Sequence, residues 1–237
     1  LLHDGVPTFT ETSEPRALDA AELPGIVQDY RHAARHAIAS GFDGVEIHGA
    51  NGYLIDQFLK TGANQREDDY GGSIKNRARL ALEVVRAVAD EIGAGRTAIR
   101  LSPVTPANDI IDDDPQQLFD YLLHHLAPLG LAYIHIIEGA TGGPRELPER
   151  PFDYAALKAV YRSSGGKAAW MVNNGYDRDM AQNAVAEGAD IVAFGRPYIA
   201  NPDLVERLQR GAPLNTPDRA TFYGGGAQGY TDYPALD

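Results

Sequence analysis

Cysteine is absent from all 237 residues, which excludes disulfides and thiolate metal sites. The absence leaves the compartment open, because cytosolic and secreted chains can both lack the residue. Basic charge is scarce: 21 Lys and Arg stand against 33 Asp and Glu, a formal net charge of -12. Nucleic acid and anionic membrane surfaces need clustered positive charge, so neither is an expected partner. A local basic pocket for a small anion is compatible with the same balance. No run reaches the ~18 apolar residues of a spanning helix, and no charged-then-apolar leader opens the chain. A soluble, cytoplasmic protein is therefore expected. The chain starts at Leu1 rather than Met, and its polar opening to Pro15 reads as the middle of a loop in a longer or a cut protein.

What is present is enough apolar material, 43% of residues, for one large core. No low-complexity tract divides it, and α/β barrels commonly reach this length as one domain, so residues 1–237 are taken as a single domain. From Asp19 to Gly41, Leu23, Ile26, Tyr30, Ala33, Ala34 and Ile38 fall at helical spacing, and Gly41 stands where a helix stops. Short β-rich runs follow at Gly44–His48, Thr97–Leu101, Ala132–Ile137, Ala168–Val172 and Ile191–Phe194. Helical patterns lie between them at Ile74–Ile92, Pro115–Leu126, Tyr154–Tyr161 and Asp177–Glu187, with a closing helix near Pro202–Arg210. Alternating strand and helix predicts a parallel sheet with right-handed crossovers. His48, Arg100, Glu138, Asn174 and Arg196 come at or just after successive strand ends, where a barrel gathers its active site. The predicted fold class is thus α/β, a (β/α)8 TIM barrel of which this chain supplies about five of the eight βα units.

The most specific segment is HGANGYL over residues 48–54, followed by a helix with Asp56, Gln57 and Phe58. Further motifs follow in order: NQREDDYGGSIKNR at 64–77, IRLSP at 99–103, NNGY at 173–176, FGRPYIANPDL at 194–204 and TFYGGGAQGYTDYP at 221–234. Together they resemble the old yellow enzyme family of FMN-dependent ene-reductases, in its carboxyl-terminal portion. The resemblance implies FMN as cofactor, NADPH or NADH as hydride donor, and a small activated alkene as substrate.

The residues suit that chemistry. An alkene accepts hydride at its β carbon only if the oxygen that gathers negative charge is held by donors, and His48 and Asn51 offer two. Tyr53 supplies a phenol that stays neutral at pH 7 and is the expected general acid for the α carbon. The structural alternative is a His satisfied at a strand end and a Tyr packed under the helix. A permanent guanidinium on Arg100 would stabilise negative charge on a reduced flavin, or else form a salt bridge at the core rim. The phosphate is expected between Asn173, Asn174 and Gly175 on one loop and Gly195 and Arg196 on the next, where barrels commonly hold phosphate. Phe222 and Tyr223, ahead of the glycines 224–226, match family positions that pack near the flavin and line the substrate pocket; equally, they could anchor the tail. Asp112–Asp114 reads as a solvated loop. No metal site is expected, since His124 and His125 sit on a half-exposed helix and His135 and Glu138 do not share a strand face.

In the resembled family the first strands bring a Thr and a Gln to the flavin and a tryptophan segment beneath the substrate. None is found in this chain. Either a second, amino-terminal chain supplies those strands or they belong to one longer chain, and a complementary fragment is the expectation retained. Two rival functions are a non-catalytic barrel fragment acting in assembly and a flavin-free phosphate-binding lyase or isomerase. Neither is favoured: the catalytic set is retained, and Lys60, Lys75, Lys158 and Lys167 all fall outside the strands, so no Schiff-base lysine lies in one.

Overall fold

The computed structural model describes residues 2–3, 6–7, 13–223 and 225–236. A short antiparallel hairpin, β1 (Leu2–His3) with β2 (Val6–Pro7), stands in the opening stretch that the sequence reads as loop. The rest alternates as predicted. In chain order it runs α1 (Leu23–Ala39), β3 (Val45–Gly49), α2 (Leu54–Leu59), α3 (Ile74–Arg77), α4 (Arg79–Ile92), β4 (Thr97–Leu101), α5 (Pro115–Leu126) and β5 (Tyr133–Ile137). It continues through α6 (Tyr154–Ser163), β6 (Ala169–Asn173), α7 (Arg178–Ala186), β7 (Ile191–Ala193), α8 (Arg196–Ala200) and α9 (Leu204–Arg210).

Strands β3 to β7 form one parallel sheet in sequence order, as right-handed βα crossovers require. The two-residue period sends Ile47, Ile99, Leu101, Ile134, Ile136, Trp170 and Val172 to one face, where they join a continuous buried core. Helix α4 seals that core with Leu80, Ala81, Val84, Val85 and Val88, a three-and-four spacing that keeps one face apolar, and it packs against α1. The opposite face of the sheet is mixed, carrying Glu46, His48, Arg100, His135 and Asn173 alongside Ala98, Ile137 and Met171. Helix starts are fixed by acidic and hydroxyl side chains: Asp114, Asp153 and Asp177 accept the Gln117, Ala156 and Met180 amides at 3.1, 2.8 and 2.8 Å, and Ser73 accepts that of Asn76.

Two local expectations are corrected. The helix read over Ile74–Ile92 divides at Ala78 into α3, whose amino terminus Ser73 caps, and α4. The acidic run 112–114 is not simply a solvated loop. The Asp112 side chain is fully buried, accepting from Arg77 Nη2 at 3.1 Å and from the Thr61 amide at 3.0 Å. A buried arginine demands a buried carboxylate, and periodicity cannot reveal that pairing.

Candidate active site

Every polar residue of the site leaves the sheet at the carboxyl end of a strand. His48 is the fourth residue of β3 and pairs in register with Arg100 of β4. Its ring is half-buried, and burial together with the neighbouring Arg100 charge lowers its pKa below the ordinary imidazole value. It is therefore a neutral ring at pH 7, with one N–H to give. The chain then turns sharply through two left-handed residues, Asn51 (φ 57°) and Gly52 (φ 74°). Gly52 is required twice over, since a Cβ there would also lie 2.7 Å from the Ala107 carbonyl. Asn51 donates its backbone N–H to Ser102 Oγ at 2.8 Å and accepts from Thr141 Oγ1 at 2.6 Å through Oδ1. That acceptance leaves the amide N–H pair as the free donors. Tyr53 follows as the N-cap of α2, 59% exposed, its ring 5.2 Å from that of His48. The phenol is thus presented to whatever lies against the imidazole.

Arg100 is half-buried, and burial lowers its pKa from the usual arginine value. Its Nη2 donates to Asn173 Oδ1 at 2.9 Å, and Asn173 Nδ2 is tied to the Ala193 carbonyl at 2.7 Å, so β4, β6 and β7 together aim the guanidinium. Arg100 Nε is buried without a hydrogen-bond partner among the described residues. An unpaired cationic donor at a cleft wall is costly unless a ligand completes it. The cleft has a volume of about 620 Å³ and is lined by Arg100, Asn173, Asn174, Gly175, Gly195 and Arg196 among others, bringing together the residues expected to hold the cofactor except Phe222.

Their roles within it differ from one another. Asn174 is buried at φ 120°, and its side chain is spent on the loop after β5, donating to the Glu138 and Ala140 carbonyls at 2.6 and 2.9 Å and accepting the Gly142 amide at 3.0 Å. It shapes the cleft wall from behind. Gly175 (φ 66°) and Gly195 face open space where a Cβ would stand, so backbone can approach a ligand closely at both loops. Arg196 is exposed, with Nη2 3.2 Å from the Gly142 carbonyl. Phe222 is half-buried and Tyr223 is 92% exposed, their rings 6.4 Å apart, and neither lines this cleft. Of the glycines after them, Gly224 lies outside the described residues.

Side chains to which the sequence assigned no role complete the site. Ser102 and Thr141 hold Asn51 from two directions, and Ser102 stands openly in the IRLSP motif without its hydroxyl's target being readable. The histidine and carboxylate set aside as metal ligands are both engaged. His135 Nδ1 lies 2.7 Å from Glu46 Oε2, and Glu138 pairs with Arg145 at 2.6 Å and receives the Tyr176 hydroxyl at 2.6 Å. Burial would raise the Glu46 pKa, but the bonds from His135 and Tyr133 outweigh it and hold the carboxyl low.

The chain has extensive relatives. It is 50% identical over 99% of its length to putative 12-oxophytodienoate reductase 10 of Oryza sativa subsp. japonica, covering 74% of that protein. It is 46% identical to 12-oxophytodienoate reductase 2 of Arabidopsis thaliana, covering 59% of it. Among solved structures, morphinone reductase in complex with tetrahydroNAD superposes at a TM-score of 0.89 with 48% identity, all of this chain matching 62% of that one. The old yellow enzyme homologue from Zymomonas mobilis superposes at 0.88 with 39% identity, 97% of this chain matching 66% of that one. The chain thus spans between three-fifths and three-quarters of the length of these relatives. Residues 4–215 match the NADH:flavin oxidoreductase / NADH oxidase family, and with the strand-end site and the parallel βα fold this places the chain in that family, as a partial TIM barrel of the old yellow enzyme type.

Proposed function

We propose that the protein carrying this chain reduces activated C=C bonds, those of α,β-unsaturated carbonyls and nitroalkenes, as an FMN-dependent NAD(P)H ene-reductase. The observation that carries it is the juxtaposition of a neutral His48, the free donors of Asn51 and the exposed Tyr53 phenol beside the cleft that Arg100 lines. The cleft fits the cofactor on its own evidence. The partnerless Arg100 Nε would hold the electron-rich pyrimidine edge of FMN, and Arg196 with the open backbone at Gly175 and Gly195 would hold its phosphate. Bound there, FMN supplies the hydride that no side chain can carry. Arg100 steadies negative charge at the ring, while Asn173 keeps the guanidinium from swinging away. His48 and Asn51 bind the substrate's oxygen and favour charge build-up on it. Tyr53 delivers the proton to the α carbon. Phe222 and Tyr223 are kept as cofactor-side and substrate-side residues on the resemblance alone, since in this structure neither lines the cleft.

The names of the relatives support this choice, as does the tetrahydroNAD in the morphinone reductase complex, which speaks for a nicotinamide donor in that protein. We further propose a cytoplasmic location and completion of the barrel by amino-terminal βα units on a second chain. Support for closure comes from the β7 edge, where Val185, Ile191, Tyr198 and Val205 surround an apolar cleft of about 640 Å³. The deciding experiment is a flavin titration of this chain alone and with the amino-terminal units restored. Tight FMN binding in the restored protein, with alkene-dependent oxidation of NADPH or NADH, is the expected result. Absence of flavin binding in both preparations defeats the proposal.

A further inference from the structure

Beneath the Asn51 turn lies a pair of charges that the chemistry above does not use. Asp56 in the first turn of α2 and Lys60 just after it are both completely buried, with Nζ 3.0 Å from Oδ2. Removing two charges from water is expensive, and an apolar pair of like volume is often as stable or more so, so packing alone does not account for them. Asp56 Oδ1 is moreover buried with no hydrogen-bond partner among the described residues.

The bonds made by the pair converge on one turn, Asn51–Gly52. Asp56 Oδ2 accepts the Gly52 N–H at 2.9 Å, on the residue after Asn51. Lys60 Nζ donates to the Ser102 carbonyl at 2.8 Å and lies 3.4 Å from that of Thr105. Ser102 receives the Asn51 N–H at 2.8 Å. Thr105 Oγ1 donates to the Gly139 carbonyl at 2.7 Å and lies 3.2 Å from Thr141 Oγ1, which donates to Asn51 Oδ1 at 2.6 Å. One buried ammonium therefore joins α2 to the exit of β4: through Ser102 it reaches the Asn51 N–H, and through Asp56 the Gly52 N–H. Two successive left-handed residues need such holding, because a non-glycine residue at positive φ is disfavoured when free.

We propose that Asp56 and Lys60 are positioning residues, which lock the Asn51–Gly52 turn to the β4 exit and so aim the Asn51 amide at the oxygen of the bound alkene. The inference rests on the function proposed above only for the identity of that oxygen. The bonds that Asp56 and Lys60 themselves make involve neither Arg100, Arg196 nor the loops at Gly175 and Gly195; of the residues further along, Thr141 alone lines the cofactor cleft.

The test uses the FMN-loaded protein and two variants. Asp56→Leu combined with Lys60→Met removes both charges and replaces them by apolar side chains; Asp56→Asn, close to isosteric, keeps an acceptor for the Gly52 N–H and serves if the double variant does not fold. Hydrogen exchange is read at the Asn51 and Gly52 amides, FMN affinity by titration, and kcat and KM with cyclohexenone. In the double variant, exchange at Gly52 is expected to quicken and kcat/KM to fall by about a hundredfold, the loss a misplaced clamp produces. FMN affinity should stay within about twofold of wild type, a factor too small to signal a lost contact. Asp56→Asn should recover part of the exchange protection and part of kcat/KM relative to the double variant. Wild-type exchange and kcat/KM in the double variant overturn the inference, as does a parallel loss of FMN affinity, which marks the pair as structural support for the whole fold. If the wild-type protein reduces no alkene, the function proposed above fails, and the Gly52 exchange still decides whether the lock exists.

Discussion

Tyr53 and His48 are neighbours in space with opposite exposure, and their roles separate accordingly. Replacing Tyr53 by Phe removes one hydroxyl from an exposed ring and should leave flavin reduction by NAD(P)H within about twofold, while alkene reduction slows by roughly 10²–10⁴-fold, the range of general-acid catalysis. Stopped-flow measurement of the two half-reactions checks this, and equal loss in both contradicts the assigned role. His48 gives a pH prediction. Its pKa is lower in the folded chain than in the unfolded one, so between the two values the unfolded chain binds more protons. Stability from this residue is therefore complete above the ordinary histidine value of about 6.5 and is lost as pH falls through the lower folded value. The thermal midpoint of wild type should fall more steeply below that pH than the midpoint of His48→Gln. Parallel curves would show that the ring titrates as it does in the unfolded chain.

At the level of elements, the loops proposed to hold the cofactor depend on the helices that follow them. Asp177 closes the loop 173–176 by accepting the Met180 amide at 2.8 Å and so starts α7 directly behind Gly175. Asp177→Ala should destabilise the fold by about 1 kcal/mol, the usual value of an N-cap carboxylate. Chemical denaturation measures it, and FMN affinity should weaken with it if the loop frays. Strand and helix positions were legible beforehand because each is written in local periodicity: the runs at 97–101 and 115–126 agree with β4 and α5 residue for residue. The break at Ala78 was not legible, since the apolar spacing continues through it and Ala78 itself keeps helical dihedrals. Asp112 was likewise misread. Its sequence neighbours are Asp113 and Asp114, but its partner Arg77 is brought to it by the fold.

For the molecule as a whole, the five-stranded sheet leaves β3 and β7 each with one unpaired edge among the described residues. Parallel strands are ordinarily covered on both sides, and the apolar surface beside β7 marks where further βα units are expected to dock. Val185 and Val205 are 53% and 54% exposed there, so changing both to Glu should leave this chain's own fold intact. In the protein with its amino-terminal units restored, the same change should weaken FMN binding at least about tenfold, equivalent to ~1.4 kcal/mol, by opposing closure. Unchanged affinity in a titration would place the docking surface elsewhere.

The sequence by itself determined the alternation of strand and helix, the strand-end placement of His48, Asn51, Tyr53 and Arg100, and the two glycine loops, because all of these are local patterns or consecutive motifs. Tertiary structure alone decided how those residues are held. Asn173 aims Arg100 across three strands, Asn174 turns its side chain away from the cleft to brace a neighbouring loop, and the buried Asp56–Lys60 pair ties one strand exit to another. Such contacts join residues tens of positions apart, and a hydrogen bond depends on distance and angle in space, which no spacing along the chain encodes.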